Sequence, residues 1–479
     1  MYKYSQFGAI GDGVTDDFES ILKTHAAANE AGVAVTADQN ATYYIGGGDM
    51  TAVIQTNTHW GNAQFIIDDT SVKNRYRNIF QITSKLQPIT LGVTTLRKGQ
   101  EKLDINLAHD SLVLALDKTT MRYIREGLNQ DSGTHQTDIF IVKKDGTVDP
   151  NTSILWDYNN VTSITAHPID PESLTITGGY FTTIANQEAP VYEYFERNIA
   201  IQRSNVVIDG LTHAIIEEKD RGAPYGGFLS IASCANITIK NCKLTGHKTY
   251  TTIGSANKPV QMGTYDVLAE KAVNLLFQNC RQLNDITDDA YWGIFGSNFT
   301  KNIIFDNIVF SRFDAHKGTA NLIIKDSELG YMGIQLIGSG SCLIENTKVF
   351  CQQFASLRHD YGSTWEGNLT IRNCEFTPHK IQENGTQILG AWFTGQHNFG
   401  YPCYMPCQIT IDGLIIHDAH HDINYQGPKI LADVTSTKEH PYTLPEKIIV
   451  KRLTVKSGKP WVLSDNMELY KDVIIETEE

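Results

Sequence analysis

Four stretches of the chain combine acidic, basic and aromatic side chains at close spacing. They are "GHK" at 246–248 with "TYD" at 264–266, "NDITDDAYWGIFGSN" at 284–298, "SRFDAHKG" at 311–318 and "LRHDYGSTWEGN" at 357–368. Carboxylates and His can act as acid and base on a glycosidic or phosphodiester bond. Arg can bind a phosphate or carboxylate through its planar fork. These stretches therefore predict a site that handles an anionic polymer.

The residues of these stretches divide by type into two predicted roles. The catalytic candidates are Asp266, Asp288, Asp289, Asp314 and His316. The substrate-binding candidates are His247, Lys248, Trp292, Arg312, Lys317, Arg358, Asp360, Trp365 and Glu366. We place the centre of the predicted groove at Asp288, Asp314, His316 and Arg358.

Structural alternatives remain open for most of these residues. Asp285 follows Asn284 at a bend and is expected to be a turn residue. The acids of "DD" at 288–289 could be solvated loop residues, and Arg358 could pair only with Asp360. The tryptophans could belong to the core or to a rim.

No metal site is predicted. The segment "HDAHHD" at 417–422 contains ligand residue types, but it lies in a late repeat where no neighbouring repeat supplies acids in register. No cofactor follows from the sequence, although calcium stays an open alternative because polysaccharide lyases often use it.

Composition limits the functional classes. The 479 residues carry a formal net charge of −14, which argues against a protein that coats nucleic acid or an anionic membrane. We see no apolar run of 18 residues and no signal peptide at the N-terminus.

A short repeat organises the chain from residue 172 onward. Apolar and variable residues alternate, and each copy ends in Asn, Asp or Gly, as in "LTITG" at 174, "ITIKN" at 237, "IIFDN" at 303 and "ITIDG" at 409. Alternation of period two indicates strands with one buried face. Because helical patterns between the copies are nearly absent, we predict an all-β, right-handed parallel β-helix of about ten coils.

Coil stacking would position the candidate residues. Neighbouring coils lie about 5 Å apart, so acids one or two coils apart would be separated by about 5 or 10 Å. These separations are close to those of retaining and inverting carboxylate pairs.

The cysteines fit the same repeat. Cys242, Cys280 and Cys374 directly follow a bend Asn, and Cys342 occupies an inward strand position. We therefore expect buried free thiols at these four positions. Cys403 and Cys407 are expected to be loop thiols.

The segment "FGAIGDGVTDDFESI" at 7–21 predicts a capping helix. Asp16 is a possible N-cap, Glu19 follows three residues later, and Gly32 can end the helix. The helix would cover the open end of the β-helix, so Asp16 and Asp17 are expected to be structural.

The same segment resembles the N-terminal cap of the pectate-lyase-like β-helix superfamily. Further stretches between Arg125 and Cys374, such as "WGIFGSN" and "SRFDAHKG", resemble pre-neck appendage proteins, the tailspikes of short-tailed phages of Gram-positive bacteria. This resemblance implies a homotrimer on a virion tail, or outside the cell, that binds and degrades wall teichoic acid. Because the cap begins almost at Met1, we expect a stand-alone homologue or a minimal tail protein.

Together these observations predict four segments. They are a cap with the first coils at 1–70, an irregular β insertion at 71–170, the regular β-helix with the groove at 171–460 and a tail at 461–479. The predicted partner is a bacterial surface polymer, with no nucleic acid and no membrane.

Three functions remain open at this stage. The first is hydrolysis of teichoic acid or an acidic polysaccharide. The second is cleavage by a lyase or by a polygalacturonase-like glycosidase, although the motifs "NTD", "GHG" and "RIK" of polygalacturonases are missing. The third is glycan adhesion without turnover.

Overall fold

The computed structural model describes residues 1–127, 133–189, 193–219, 222–248, 250–253, 257–262, 264–379, 385–421, 424–435 and 439–478. Thirty strands of this part form one continuous sheet with parallel pairing, and half of the residues lie in strands. The predicted all-β parallel β-helix with an N-terminal helix is confirmed. None of the helices described is long and apolar enough to cross a membrane.

The coils stack their strands into three columns, which we call sheets 1, 2 and 3. Several long strands bend at a corner and contribute to two columns: Thr58–Asp68, Leu174–Ile184, Phe295–Asp306, Glu328–Leu336, Trp365–Pro378 and Gln408–Ile416. The longest strand, Val309–Lys325, contributes to all three.

Sheet 1 carries the predicted groove. Besides its share of the bent strands, it contains Ala52–Ile54, Phe80–Thr83, Ile199–Gln202, Leu229–Ala232, Val267–Glu270, Gln353–Leu357, Gln387–Gly390 and Lys429–Leu431.

Sheets 2 and 3 complete each coil. Sheet 2 adds Tyr2–Lys3, Val35–Thr36, Val206–Asp209, Ala235–Lys240, Val273–Gln278, Gly338–Glu345, Lys447–Lys451 and Ile474–Glu478. Sheet 3 adds Asp12–Asp16, Thr42–Ile45, Thr212–Ile216, Lys243–Leu244, Arg281–Gln282, Lys348–Cys351 and Thr454–Val455.

The insertion forms a separate antiparallel sheet. Its strands follow the spatial order Thr134–Val142, Ser111–Arg122, Ser163–Pro168 and Ile89–Thr90, and they enclose a small apolar core of their own. The buried Lys301 of sheet 2 anchors this insertion, because its Nζ lies 2.7 Å from Asp138 Oδ1. The domain limits at 70, 170 and 460 stay a proposal.

Short elements complete the described chain. His247–Lys248 pairs antiparallel with Tyr291–Gly293, Tyr250–Ile253 pairs antiparallel with Pro259–Met262, and Cys403–Tyr404 pairs parallel with Tyr442–Thr443. The 3-10 helices are Tyr4–Phe7, Pro150–Thr152, His359–Tyr361 and Met467–Tyr470.

The N-terminal α-helix spans Phe18–Ala31, and Gly32 ends it at φ 64°. Its buried side packs Phe18 and Ile21 into the end of the core, with Phe18 6.4 Å from the ring of Phe80. The prediction of Asp16 as the N-cap is wrong, because Asp17 occupies this position directly before the helix. Asp16 Oδ1 accepts from Phe18 N, while the Asp17 carboxylate accepts from Ile10 N and Gly11 N and so fixes the preceding turn.

Two asparagine ladders run along the coils. The predicted bend positions Asn241, Asn279 and Asn307 have φ near 55° and are joined by side-chain hydrogen bonds. A second ladder, just before the apolar run of each sheet 2 segment, was not predicted. It joins Asn205, Asn236, Asn274, Asn302 and Asn321 through bonds of 2.9 to 3.0 Å.

All eight cysteines are free thiols. The four predicted core cysteines, Cys242, Cys280, Cys342 and Cys374, are buried. Of the two predicted loop thiols, Cys407 is exposed but Cys403 is buried, because it packs under Gly362 beside Phe399.

Candidate functional site

The outward face of sheet 1 presents a straight row of side chains. Leu268, Gly296, Asp314, Gln335, Ser356 and Gly390 are register partners on six successive coils. Their strand neighbours, such as Phe295 and Phe313, point into the core. Gly296 has no side chain, and the Tyr265 ring fills this space, since a Cβ there would lie 2.8 Å from the ring.

Asp314 is the centre of an ion-pair cluster. Its carboxylate is fully buried and accepts from Arg358 Nη1 at 2.9 and 3.1 Å, from Arg312 Nη2 at 2.8 Å and from the Tyr265 hydroxyl. Burial would raise the pKa of Asp314, but Arg312 and Arg358 outweigh this effect and hold it well below its usual range. Asp314 is therefore an ionised residue that orients the two arginines.

Arg358 connects Asp314 to a second carboxylate. Its Nη2 lies 2.8 Å from Asp360 Oδ2 and its Nε lies 3.1 Å from Oδ1, a two-point contact. Arg125 from the insertion joins the same carboxylate at 3.0 Å. Burial would raise the pKa of Asp360, but Arg358 and Arg125 lower it. The pairing of Arg358 with Asp360, an open alternative from the sequence, is observed.

His316 and Lys317 flank this cluster. His316 Nδ1 lies 3.0 Å from Asn298 Oδ1, and its Nε2 lies 3.2 Å from the Tyr361 hydroxyl. Burial, assisted by Arg358, lowers the pKa of His316 to about 3, so the imidazole is neutral. Burial also lowers the pKa of Lys317, which makes no ion pair among the described residues. The arginines and Lys317 outnumber the carboxylates here, which gives this surface a local excess of positive charge.

Asp266 belongs to a different, buried network. Its Oδ1 lies 2.7 Å from His213 Nδ1 and 3.2 Å from His247 Nε2, and its Oδ2 accepts from Thr245 N. Phe228 stacks on His213 at 3.6 Å. Asp266 is fully buried, so this geometry does not support its predicted catalytic role.

His247 shares that network. Its Nδ1 lies 3.1 Å from Glu218 Oε1, and only 1 % of its surface is exposed. Burial would lower the pKa of His247, but Glu218 and Asp266 raise it to about 10. His247 is therefore an internal cation. Lys248, half-buried, contacts Glu218 through its backbone N–H.

The predicted acids of the 285–289 loop lie on the surface. Asp285 forms the expected turn with Thr287, and Asp288 accepts from Ala290 N. Asp288 and Asp289 are exposed, whereas the Asp314 carboxylate is buried. Their catalytic role stays a prediction without geometric support.

Of the two predicted tryptophans, Trp292 belongs to the cluster and Trp365 does not. The Arg312 guanidinium lies 4.7 Å from the Trp292 ring centroid. Trp365 is fully buried, and its indole N–H donates to Gly340 O at 3.0 Å, so a sugar has no access to its ring. Glu366 follows it on sheet 2, where it pairs with Lys98 in a cleft of about 320 Å³ beside the insertion.

Sequence reasoning missed Glu196, a half-buried acid that precedes the sheet 1 strand Ile199–Gln202. Asn198 Nδ2 donates to its Oε2 at 3.1 Å, and Gly226 leaves room for its carboxylate. Burial, followed by the charge of Glu270, raises the pKa of Glu196. No spacing in "YEYFERN" could have indicated this environment, because the neighbours come from other coils.

The described residues hold no group of three or more His, Cys, Asp or Glu arranged for a metal ion. In the 417–422 segment, His417 pairs with Glu375 and Asp418 accepts from Ser457, while Asp422 lies outside the described residues. Calcium binding therefore stays an untested alternative.

Comparison with known proteins finds similar sequences and similar structures. No protein-family model matches the chain. The preneck appendage protein of Bacillus phage PZA and the pre-neck appendage protein of Bacillus phage phi29 are each 23% identical to it over 355 residues, or 66% of this chain. The match covers 40% of the length of these relatives.

Solved tailspike structures share the fold. The tailspike of Pseudomonas phage phi297 has a TM-score of 0.56 at 13% identity and covers 96% of this chain and 83% of its own. The tailspike of Acinetobacter baumannii phage AP22, solved with a capsular saccharide of its host, has a TM-score of 0.55 at 10% identity and covers 100% and 79%.

Proposed function

The chain is homologous to the phage pre-neck appendage proteins, and from this premise we propose that it works on a virion tail, where it binds and cleaves a polymer of the bacterial surface. The observation that carries the proposal is the cationic cluster around Arg358 on the outward face of sheet 1. A row of stacked strands offers a linear polymer a linear surface.

The polymer that fits this surface is anionic, either wall teichoic acid or an acidic polysaccharide. The chain as a whole carries a net charge of −14, so it would repel such a polymer without a local patch of opposite charge. Arg358 is fixed by Asp314 and Asp360, and Arg125 and Lys317 stand beside it. A guanidinium held in place loses little conformational freedom when it binds a phosphate or carboxylate.

Hydrolysis by acid and base is the chemistry that we propose. Asp314 and Asp360 are held ionised and cannot donate a proton near neutral pH, so their task is to position Arg358. Burial raises the pKa of Glu196, the direction of shift that favours a general acid, and Glu196 is therefore our candidate for this role. Glu270 ends a sheet 1 strand two coils further on, and its charge acts on Glu196, so it is our candidate for the base.

A lyase is the second candidate, because one specific contact favours it. Neutral His316 lies 3.2 Å from the Tyr361 hydroxyl, and Arg358 is part of the same cluster. A His–Tyr pair can remove a proton beside a uronate carboxylate while an arginine neutralises that carboxylate. Elimination would leave a double bond in the product.

The nature of the products tests the proposal. Purified wall teichoic acid and polygalacturonate are incubated with the chain and sized by chromatography. Shortened chains with new reducing ends or phosphomonoesters support hydrolysis, and shortened chains with new ultraviolet absorbance support the lyase. Polymer that is bound but keeps its full length would leave only an adhesin and would overturn the enzymatic proposal.

A homotrimer is the assembly that we propose, on the resemblance to the appendage proteins alone. Light scattering of the purified chain measures its mass directly. A mass of three chains supports the proposal, and a mass of one chain at all concentrations contradicts it.

A further inference from the structure

A second cleft opens on the same face of sheet 1, beyond the cationic cluster. Its volume is about 400 Å³, and its lining includes Gln353, Ser356, His359, Gln387, Trp392 and Asp433. Ser356 belongs to the same outward row as Asp314, two coils further on, which corresponds to about 10 Å. The groove therefore leads from Arg358 into this cleft.

Trp392 forms one wall and is unusually exposed for its size. Its exposed fraction is 64%, although its backbone is fixed on both sides by one residue: its N–H donates to Ser363 Oγ at 2.9 Å, and its carbonyl accepts from the same hydroxyl at 2.9 Å. His359 stacks beside the indole, with centroids 5.7 Å apart. A large apolar ring that is held in place and left open to water is a ready contact surface for a ligand.

The floor of the cleft consists of side-chain amides. Gln353 Nε2 donates to Gln387 Oε1 at 2.9 Å. The Gln353 amide lies directly over Gly390, where a Cβ would come within 1.9 Å of its Oε1, so the glycine makes the space for this amide. Asp433 stands at the far edge, where its Oδ1 accepts from Ser464 Oγ.

These groups determine which kind of ligand the cleft can bind. A ring face binds the C–H face of a pyranose. Side-chain amides both donate to and accept from hydroxyl groups, and carboxylates accept from them. The described lining of the cleft includes no Arg or Lys, and Lys429, which borders it beside Gln387, is already paired with Asp433 and Asp465. The occupant is therefore a neutral sugar rather than a second phosphate or carboxylate.

We propose that the Trp392 cleft is a subsite for a neutral pyranose of the same surface polymer whose charged groups bind at Arg358. This inference rests on the proposed function and adds the requirement that the polymer carries neutral sugars as well as charges. The cleft supplies specificity for the sugar, and the cationic cluster supplies attraction for the charged backbone.

The test uses two polymers that differ only in sugar. Binding of glucosylated poly(glycerol phosphate) and of the same polymer without glucose is measured for the full chain by titration calorimetry. Trp392→Ala removes the ring, and Tyr180→Ala, another exposed aromatic on a strand outside sheet 1, is the matched control. Melting temperatures confirm that both variants fold.

We expect the wild-type chain to bind the glucosylated polymer more tightly than the bare one. Trp392→Ala should weaken binding of the glucosylated polymer by at least about tenfold, which is typical of a central aromatic contact, and leave the bare polymer unaffected. Tyr180→Ala should change neither.

If Trp392→Ala binds the glucosylated polymer as tightly as the wild type, the subsite is excluded while the proposed function stands. If the wild type binds neither polymer, the proposed function in its teichoic-acid form fails and the subsite fails with it.

Discussion

At the scale of single residues, Asp314 determines the geometry of the cluster without being a proton donor. It is buried among Arg312, Arg358 and Tyr265, whereas the sequence predicted a catalytic acid at the centre of the groove. The residue types indicated a site that binds charged groups. Burial of the carboxylate, however, depends on how Tyr265 folds over Gly296, which no local sequence pattern shows.

Replacement of Asp314 by Asn should therefore destabilise the fold. Two buried guanidinium groups would lose their shared charge partner, and breaking such a pair costs about 3–5 kcal/mol. Asp360→Asn is the matched control, because its carboxylate is partly exposed and its loss should cost clearly less. Unfolding in denaturant measures both. Equal midpoints for Asp314→Asn and the wild type would contradict the structural role.

The buried network of His247, Asp266 and Glu218 should make stability depend on pH. The pKa of His247 is raised to about 10, so its contribution is complete below about 6.5, the unfolded value, and is lost as the pH rises toward 10. In this window the folded chain holds one proton more than the unfolded chain. The free energy of unfolding should therefore fall with rising pH, by up to about 1.4 kcal/mol per unit.

Chemical denaturation between pH 6 and 10 measures this slope. His213 and the Tyr225 ring also face the network, and both are retained in His247→Gln, which removes only the titrating group. The variant should be less stable at pH 6 and show a flatter profile. An identical slope in His247→Gln would assign the pH dependence to other residues.

At the scale of elements, the strands were predictable and their partners across coils were not. Alternation in "ITIKN" and "IIFDN" gave the sheet 2 strands, and the bend Asn residues do adopt positive φ. The second ladder, through Asn236, Asn274 and Asn302, has the sequence signal of an Asn directly before the strand's apolar run. That signal becomes meaningful only when the coils are aligned.

Asn274 offers a test of this ladder. Its side chain donates to Asn236 and accepts from Asn302, and its φ is 57°. Asn274→Gly keeps the backbone freedom and loses both bonds, so we expect a loss of about 1–3 kcal/mol in the free energy of unfolding. Asn274→Ala should lose about 1 kcal/mol more because of the left-handed backbone. Equal stability of the wild type and the glycine variant would show that the ladder contributes nothing.

At the scale of the whole molecule, the repeat and the N-terminal segment together predicted the β-helix and its cap. Stacking makes each coil contact only its neighbours, so a short repeated pattern contains most of the information about the fold. The position of the insertion was not predictable, because its anchor is the long-range pair of Lys301 with Asp138. Trp392 was also missed, since it lies in a loop that the repeat does not reach.

The thiols report on the integrity of the whole β-helix. Seven of the eight cysteines are buried, and burial raises the pKa of Cys234 and Cys342 to about 12, so they should be unreactive in the native chain. Thiol titration should find one reactive group, Cys407, in native protein and eight after denaturation. Full reaction of all eight without denaturant would contradict the packed core.

The cationic cluster on sheet 1 is expected to bind an anionic polymer of the bacterial surface. The most direct measurement is the affinity for purified wall teichoic acid of the wild type and of the double variant Arg125→Gln/Lys317→Gln, which spares the buried Asp314 pair. Arg372→Gln removes another partly exposed, carboxylate-paired arginine, on sheet 2, and is the control. We predict at least about tenfold weaker binding for the double variant, an effect that shrinks at high salt, and no change for the control. Equal affinity of all three proteins at low salt would contradict the binding of the polymer by the cationic cluster.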